Sequence, residues 1–107
     1  MILSTTADVT GYKTVAQLGL VSGNIVQSKH VGRDIMAGIK TLIGGEIAGY
    51  TEMLAEARDK AVERMLDDAQ SKGANAVVNL RFTTSAIAQS MSEILAYGTA
   101  VKLEKDE

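Results

Sequence analysis

The spacing of hydrophobic residues divides the chain into strand-like segments around one helical block. Between residues 53 and 69 apolar positions recur every three or four residues, the period of one face of an α-helix. Lys72 suits the negative end of the helix dipole, and Gly73 suits the position just past a helix end. The pattern predicts a long helix that begins between Glu46 and Thr51 and ends near Lys72. Its apolar stripe comprises Met53, Leu54, Ala57, Ala61, Met65 and Ala69, widened by Val62 and Leu66.

Charged residues occupy the other face of this helix. Opposite charges four residues apart stabilise a helix by ~0.2–0.5 kcal/mol per pair, and like charges at that spacing oppose it. The opposite pairs are Glu56–Lys60, Arg64–Asp68 and Asp68–Lys72, and the like pairs are Asp59–Glu63 and Glu63–Asp67. We therefore expect the ion pairs to add only a small net stabilisation.

Ahead of the helix, the pattern predicts short strands. Residues 1–6 are rich in Ile, Leu and Thr, which is typical of a first strand, and residues 10–13 suit a turn. Residues 15–27 indicate one bent strand or two short ones. Gly19 and Gly23 interrupt this segment, and isolated glycines in strands mark bulges or close backbone approach.

A shorter helix is predicted between the strands and the long helix. Ile35 and Ile39, followed by Leu42 and Ile43, keep the helical spacing from about Asp34 onward. The pair Gly44-Gly45 ends it, because glycine readily adopts the left-handed conformation found at helix ends.

Two further strands are predicted after the long helix. In residues 75–88, Ala76, Val78, Leu80 and Phe82 are expected on one face, with Val77, Asn79, Arg81 and Thr83 on the other. The last strand, residues 92–103, is apolar on both faces for much of its length, which indicates a central or doubly covered strand.

This order of elements predicts a single α+β domain over residues 1–107. The expected architecture is an antiparallel β-sheet packed by one long and one short helix.

Composition limits the functional classes. The chain is 46% hydrophobic but only 4% aromatic, so small aliphatic residues must fill its core, and neighbouring subunits are expected to complete the burial. A net charge of −2 without a basic block argues against nucleic-acid binding. Cysteine is absent, so no disulfide or thiolate chemistry is available. With no signal-like start and no long apolar run, we expect a cytoplasmic protein without a membrane span.

Several short motifs together resemble a known family. They are Ser4-Thr5-Thr6, Arg33-Asp34, Gly44-Gly45, Gly49-Tyr50, Glu56-Ala57-Arg58, residues 73–78 (GANAVV) and Gly98-Thr99-Ala100-Val101. In this order they are similar to the YbjQ-like proteins of bacteria and archaea. The resemblance implies a dodecin-like sheet over a long helix, assembly into ring-shaped homopentamers, and a label of heavy-metal binding without an established activity.

Two departures from the family pattern remove carboxylates. The family tends to carry acidic residues after position 78, where this chain has Asn79-Leu80-Arg81-Phe82-Thr83-Thr84. It often has Gly-Glu where this chain has Gly23-Asn24. Both changes argue against metal binding.

Metal binding would depend on His30, the single imidazole of the chain. With Asp34 and Glu46 it could form a weak site, and five copies of His30 around a ring axis could form a better one. The alternative is a solvated loop histidine.

The stretch from Gly32 to Glu52 supplies the remaining ligand or interface candidates: Arg33, Asp34, Gly44, Gly45 and Tyr50. Arg33 could hold a phosphate or carboxylate, or it could pair with an acid within or between subunits. The glycines match no phosphate-binding motif, so a turn or a close subunit contact is the simpler interpretation.

No set of catalytic residues is recognisable. His30 is the only histidine, no serine lies in a known nucleophile motif, and the acidic residues lie mostly on the long helix. The sequence therefore favours a non-enzymatic homo-oligomer, a pentamer by resemblance, that binds a small ligand or ion at subunit junctions. A metal-binding or metal-sensing module and an enzyme using Arg33, Asp34 and Tyr50 between subunits are the alternatives. No cofactor is indicated.

Overall fold

A four-stranded sheet crossed by one helix makes up the described part of the chain. The computed structural model describes residues 1–28, 50–88 and 91–106. The strands are β1 (Ile2–Leu3), β2 (Tyr12–Ser28), β3 (Ala76–Ala88) and β4 (Met91–Lys105), and the helix is α1 (Tyr50–Ser71). The α+β class is confirmed. The predicted short helix lies outside the described residues.

The sheet is mixed, so the prediction of a wholly antiparallel sheet is wrong. Its order is β1-β3-β4-β2. The pairs β2–β4 and β3–β4 are antiparallel, but β1 runs parallel to β3 with Ile2 opposite Ala76 and Leu3 opposite Val77. Because β2 lies at the far edge beside β4, the N-terminal residues pair with the other edge of the sheet, where they run in the direction of β3.

The helix has the bounds that the hydrophobic pattern predicts. It ends at Ser71, and Gly73 follows with φ 79°. The Ala74 N–H donates to the Ala69 carbonyl at 3.1 Å, and the Gly73 N–H donates to the Gln70 carbonyl at 3.0 Å. These two bonds form a Schellman motif, which satisfies carbonyls that a helix end leaves without partners.

Strand β2 is one long strand with two irregularities. Its pairing with β4 shifts register between Thr14 and Ala16 and again between Gln17 and Gly19. Gly19 has φ 102°, a conformation that glycine adopts without steric cost. The interpretation as one bent strand is therefore confirmed over that of two separate strands.

The main core lies between α1 and one face of the sheet. Its buried residues are Val21, Ala57, Ala61, Met65, Ala69, Val77, Leu80, Ile94, Ala96 and Ala100. Alanines make up half of this set, as the low aromatic content predicts. The helix packs mainly across β2 and β4, and it hardly touches β3.

A smaller core lies on the opposite face, under the N-terminal residues. Here Ala76, Val78, Val101 and Leu103 are buried, and Ile2, Val9 and Tyr12 pack against them. Ala100 and Val101, adjacent in β4, belong to different cores. The prediction that the last strand is central or covered on both faces is therefore confirmed, and both descriptions apply.

The predicted faces of β3 are wrong beyond Val78. Leu80 packs in the main core with Val77 rather than in the smaller core with Ala76 and Val78. Asn79 has φ 53°, and the pairing with β4 shifts register between Val78 and Arg81. This bulge exchanges the two faces, because one added residue reverses the alternation of a strand.

The fold is elongated. Its principal axes measure 57 × 25 × 16 Å and the Cα radius of gyration is 17.3 Å, whereas a compact chain of this length has a radius of about 13 Å. The burial of β3 stops at Leu80, and residues 81–88 are all exposed. The second half of β3 therefore extends past the part of the sheet that the helix and the N-terminal residues cover.

Candidate assembly surface

The exposed half of β3 is the most unusual surface of the described residues. Residues 82–88, named here the open edge, pair with β4 on one side, except at Ile87, where the register shifts between Ala86 and Ala88. No described residue pairs with them on the other side, and all seven residues are exposed. Phe82 is 44% exposed and Ile87 is 52% exposed. Unpaired backbone groups beside exposed apolar side chains are typical of an edge that accepts another strand.

Charge, which normally protects an edge, is missing at this one. No residue from Phe82 to Ser92 carries a charged side chain, and the chain contains no proline. Lysines, prolines and inward-pointing charges are the usual means by which proteins prevent edge-to-edge pairing. The bulge at Asn79 precedes the open edge, so the open edge remains regular from Phe82 to Ala86.

The open edge begins where the N-terminal residues stop covering β3. The Leu80 N–H donates to the Ser4 carbonyl at 3.0 Å, and the Asn79 N–H donates to the Thr6 carbonyl at 3.2 Å. Arg81 links the same two segments through its side chain: its Nη1 donates to the Thr5 carbonyl at 2.8 Å and to the Leu80 carbonyl at 2.9 Å.

The hydroxyl groups beside Arg81 do not form an anion site. Thr6 Oγ1 donates to the Asp8 carbonyl at 2.7 Å. The Ser4 hydroxyl must then donate to Thr6 Oγ1, also at 2.7 Å, while the Thr6 N–H donates to Ser4 Oγ at 3.1 Å. Both hydroxyl protons are used within the turn, so Ser4 and Thr6 have none to offer a ligand. The Ser4-Thr5-Thr6 motif stabilises the turn that holds Arg81.

The opposite edge of the sheet, formed by β2, is arranged differently. The Ser22 N–H donates to Asp68 Oδ2 at 3.3 Å, and Arg64 Nη1 donates to the Asn24 carbonyl at 2.8 Å. Both partners project from α1. Two backbone groups in the middle of β2 are thus bonded to charged helix side chains.

Asp68 is fixed by a second contact. Lys72 Nζ lies 2.8 Å from Asp68 Oδ1, one turn further along the helix. The hydrogen bond from Lys72, and then that from the Ser22 backbone, lower the pKa of the Asp68 carboxyl below its ordinary value. Of the three predicted opposite-charge pairs, this one forms among the described residues, whereas Arg64 bonds to β2 instead of Asp68.

Two groups of exposed polar side chains lie near β2. On the face away from α1, Asn24 Nδ2 donates to Glu93 Oε2 at 3.0 Å. On the helix, an open depression is lined by Lys60, Glu63, Arg64 and Asp67. Two cations and two carboxylates leave no net charge there, so the depression has no electrostatic preference for an ion.

Most of the residues that the sequence singles out lie outside the described residues: Arg33, Asp34, Gly44, Gly45 and His30. Tyr50 is the first residue of α1. Within residues 1–28, 50–88 and 91–106, no group of three or more His, Asp or Glu side chains is arranged to hold a metal ion, and no helix is long and apolar enough to cross a membrane.

Comparison with known proteins decides the family. Residues 1–104 match the YbjQ-like family model, whose description is "Putative heavy-metal-binding". A UPF0145 protein of Photobacterium profundum is 68% identical over 103 residues, which cover 96% of this chain and 100% of that protein. The chain belongs to the YbjQ-like family. The resemblance found from the short motifs is therefore confirmed.

Two further similar proteins come from other bacteria. A UPF0145 protein of Thermotoga maritima is 60% identical over 105 residues, covering 98% of this chain and 99% of that protein. A crystal structure of a DUF74-family protein of unknown function from Pediococcus pentosaceus ATCC 25745 superimposes with a TM-score of 0.65 at 14% identity. It covers 97% of this chain and 98% of its own. That likeness shows a shared fold. None of these names states an activity.

The sequence analysis missed the residues that distinguish the two edges. It paired Arg64 with Asp68 along the helix and assigned Asn79 to a regular strand. One signal was available for the β2 edge: Gly23 indicated close backbone approach, and a helix that close to β2 brings its side chains to the edge of the strand. For the open edge, the signal was the uncharged run from Phe82 to Ser92.

Proposed function

We propose that this YbjQ-like protein is a non-enzymatic, cytoplasmic homo-oligomer, a ring of five subunits, that binds a small ligand at its subunit interfaces. The single observation that carries the self-association is the open edge, where residues 82–88 are exposed and pair with no described residue on one side of β3. The elongated shape supports it, because the monomer leaves much of its sheet outside the two cores.

Strand addition suits this surface physically. A strand from a second subunit would satisfy the outward N–H and C=O groups and cover Phe82 and Ile87, which are half exposed in one chain. Because residues 82–92 carry no charge, no ionised group has to be desolvated when the surface is covered. Contacts of one surface with a different surface of the next subunit close into rings, which is the type of symmetry that five subunits require.

Light scattering and native mass spectrometry at micromolar concentration test the assembly. We expect a mass of five times 11.3 kDa. A lysine in the open edge, Ile87→Lys, should weaken association at least tenfold, since a charge opposes strand addition. Leu20→Lys is the matched control, because Leu20 is 70% exposed but lies on β2. A monomeric wild type, or equal dissociation by both variants, would refute the proposed surface.

Native spectra of the assembly also test ligand binding. A mass above that of the bare protein, retained after buffer exchange and lost on dissociation into subunits, is expected for a ligand at the interfaces. Assembled protein with no added mass from any source, including cell extract, contradicts that part of the proposal.

The description of the family favours metal binding as a second function. In this chain that function depends on His30, and on symmetry to bring several copies together. Titration calorimetry with zinc, copper and nickel should then show binding tighter than millimolar that His30→Ala abolishes. If the wild type binds none of these metals, or if His30→Ala binds them as tightly as the wild type does, His30 is not a metal ligand.

A further inference from the structure

We infer that Arg64 and Asp68 close the β2 edge to strand addition, so that the strand added to the open edge of β3 comes from a part of the next subunit other than β2. This inference rests on the proposed self-association, which it makes more specific. It concerns which edge of the sheet accepts a second copy of the chain.

The direction of the β2 backbone groups identifies what the two side chains cover. In an antiparallel pair, each residue points its N–H and its C=O to the same side, and successive residues alternate. Ser22 and Asn24 are two residues apart, so both point to the same side of β2. Since the Ser22 N–H and the Asn24 C=O bond to α1 side chains, that side is the outer one, away from β4.

The spacing of the two elements fits this arrangement. Arg64 and Asp68 are four residues apart, about 6 Å along a helix. Asn24 and Ser22 are two residues apart, about 7 Å along a strand. Arg64 binds Asn24 and Asp68 binds Ser22, so the helix runs opposite to the strand. Gly23, between the two strand residues, has no side chain to hold the helix away.

An added strand would have to displace both contacts. It would need the Ser22 N–H and the Asn24 C=O for its own ladder, and it would remove water from two charged side chains. Lys72 holds Asp68 in place at 2.8 Å, which adds a third charge beside the edge. Charges at an edge strand are a known means of blocking pairing. The open edge of β3 has no such charge from Phe82 onward.

A chain with both edges free should associate without limit. Two different open edges allow each copy to pair on either side, and such contacts extend into filaments unless the geometry closes a ring. We therefore expect Arg64→Ala/Asp68→Ala to form species larger than the wild type. The matched control is Arg58→Ala/Asp59→Ala, which also removes one cation and one anion from α1 but contacts no β2 backbone group among the described residues.

Light scattering over a hundredfold range of protein concentration distinguishes the outcomes. The mass of the Arg64→Ala/Asp68→Ala variant is expected to rise with concentration to at least twice that of the wild type. The mass of the control variant should equal that of the wild type. Arg64→Lys/Asp68→Asn keeps a donor for the Asn24 carbonyl and an acceptor for the Ser22 N–H, so its assembly should have the same mass as that of the wild type. An unchanged mass of the alanine variant, or a smaller one, overturns the inference.

One further measurement keeps the test independent of folding, and one further outcome keeps it independent of the proposed function. If the circular dichroism spectrum shows that the alanine variant is unfolded, amide hydrogen exchange of the wild type serves as the test instead. The backbone N–H of Ser22 should exchange at least tenfold more slowly than that of Asn24, whose backbone N–H has no acceptor among the described residues, and equal rates overturn the inference. If the wild type is monomeric, the proposed function fails, but growth of the alanine variant would still support closure of β2.

Discussion

Gly23 of β2 lies directly against Ala61 of α1. A Cβ atom at residue 23 would come within 3.0 Å of the Ala61 carbonyl oxygen, and it would lie 2.8 Å from the Cβ of Arg64. Backbone atoms in a helix cannot move aside cheaply, so this strand and this helix approach each other more closely than any side chain allows. The same approach brings Arg64 and Asp68 to the β2 edge.

Gly23→Ala should therefore destabilise the fold by about 1–3 kcal/mol, the usual cost of overpacking a tight site. Urea denaturation followed by circular dichroism measures this change. Ser22→Ala is the control, since the Ser22 side chain is exposed and its backbone N–H is unchanged. It should cost less than about 0.5 kcal/mol. Equal effects of the two substitutions would show that the helix does not rest on Gly23.

The bulge in β3 gives a second prediction, at Asn79. Its φ of 53° lies in the left-handed region, which costs most residues about 1–2 kcal/mol but suits asparagine and glycine. Asn79→Gly should leave the free energy of unfolding nearly unchanged, whereas Asn79→Val should lower it by about 1–2 kcal/mol. Equal unfolding midpoints for the Gly and Val variants in urea would contradict the left-handed conformation.

The sequence predicted the helix and the central strand well because their patterns report local physics. The apolar stripe and the glycine at position 73 set the bounds of α1, and the doubly apolar residues 92–103 indicated that β4 is covered on both faces. The faces of β3 could not be predicted, because the strand alternates regularly up to a single asparagine. The positive φ of Asn79 depends on contacts of Asn79 and Leu80 with Ser4 and Thr6, far away in sequence.

The candidate surface was less predictable than the fold. The open edge depends on which strands lie at the margins of the sheet, and the parallel placement of β1 was not evident from its few residues. The contacts of Arg64 and Asp68 with β2 span 40 and 46 residues in sequence. A pattern of charges along one helix cannot distinguish a pair within the helix from a contact with a distant strand.

Acid should reveal the role of Asp68. Its pKa is lowered in the folded state by the hydrogen bonds from Lys72 and Ser22. A carboxylate with a depressed pKa stabilises the fold above its unfolded pKa of about 3.9, and that stabilisation is lost as the pH falls through the folded value. Wild type should therefore be more stable than Asp68→Asn near pH 6, and the difference should shrink as the pH falls below about 3.9.

Urea denaturation across this pH range measures the difference between the two proteins. Asp67→Asn removes the neighbouring carboxylate, which forms no ion pair among the described residues, so its difference from wild type should stay small at every pH. A difference between Asp68→Asn and wild type that stays constant from about pH 6 to about pH 3 would contradict the assigned role.

The amide of Asn75 gives the last prediction, because it acts as an additional peptide group between α1 and β4. Its Nδ2 donates to the Leu103 carbonyl at 2.9 Å, and its Oδ1 accepts from the Leu103 N–H at 2.7 Å. Asn75→Asp keeps the acceptor but places a carboxylate oxygen against a carbonyl, with no donor between them. Leaving such a partly buried pair unsatisfied should cost about 1–3 kcal/mol near neutral pH, measured by urea denaturation.

Gln70→Glu makes the same amide-to-carboxylate change at an exposed position and should cost less than about 0.5 kcal/mol. If both substitutions have the same small effect, the Asn75 amide does not bridge the helix end and β4.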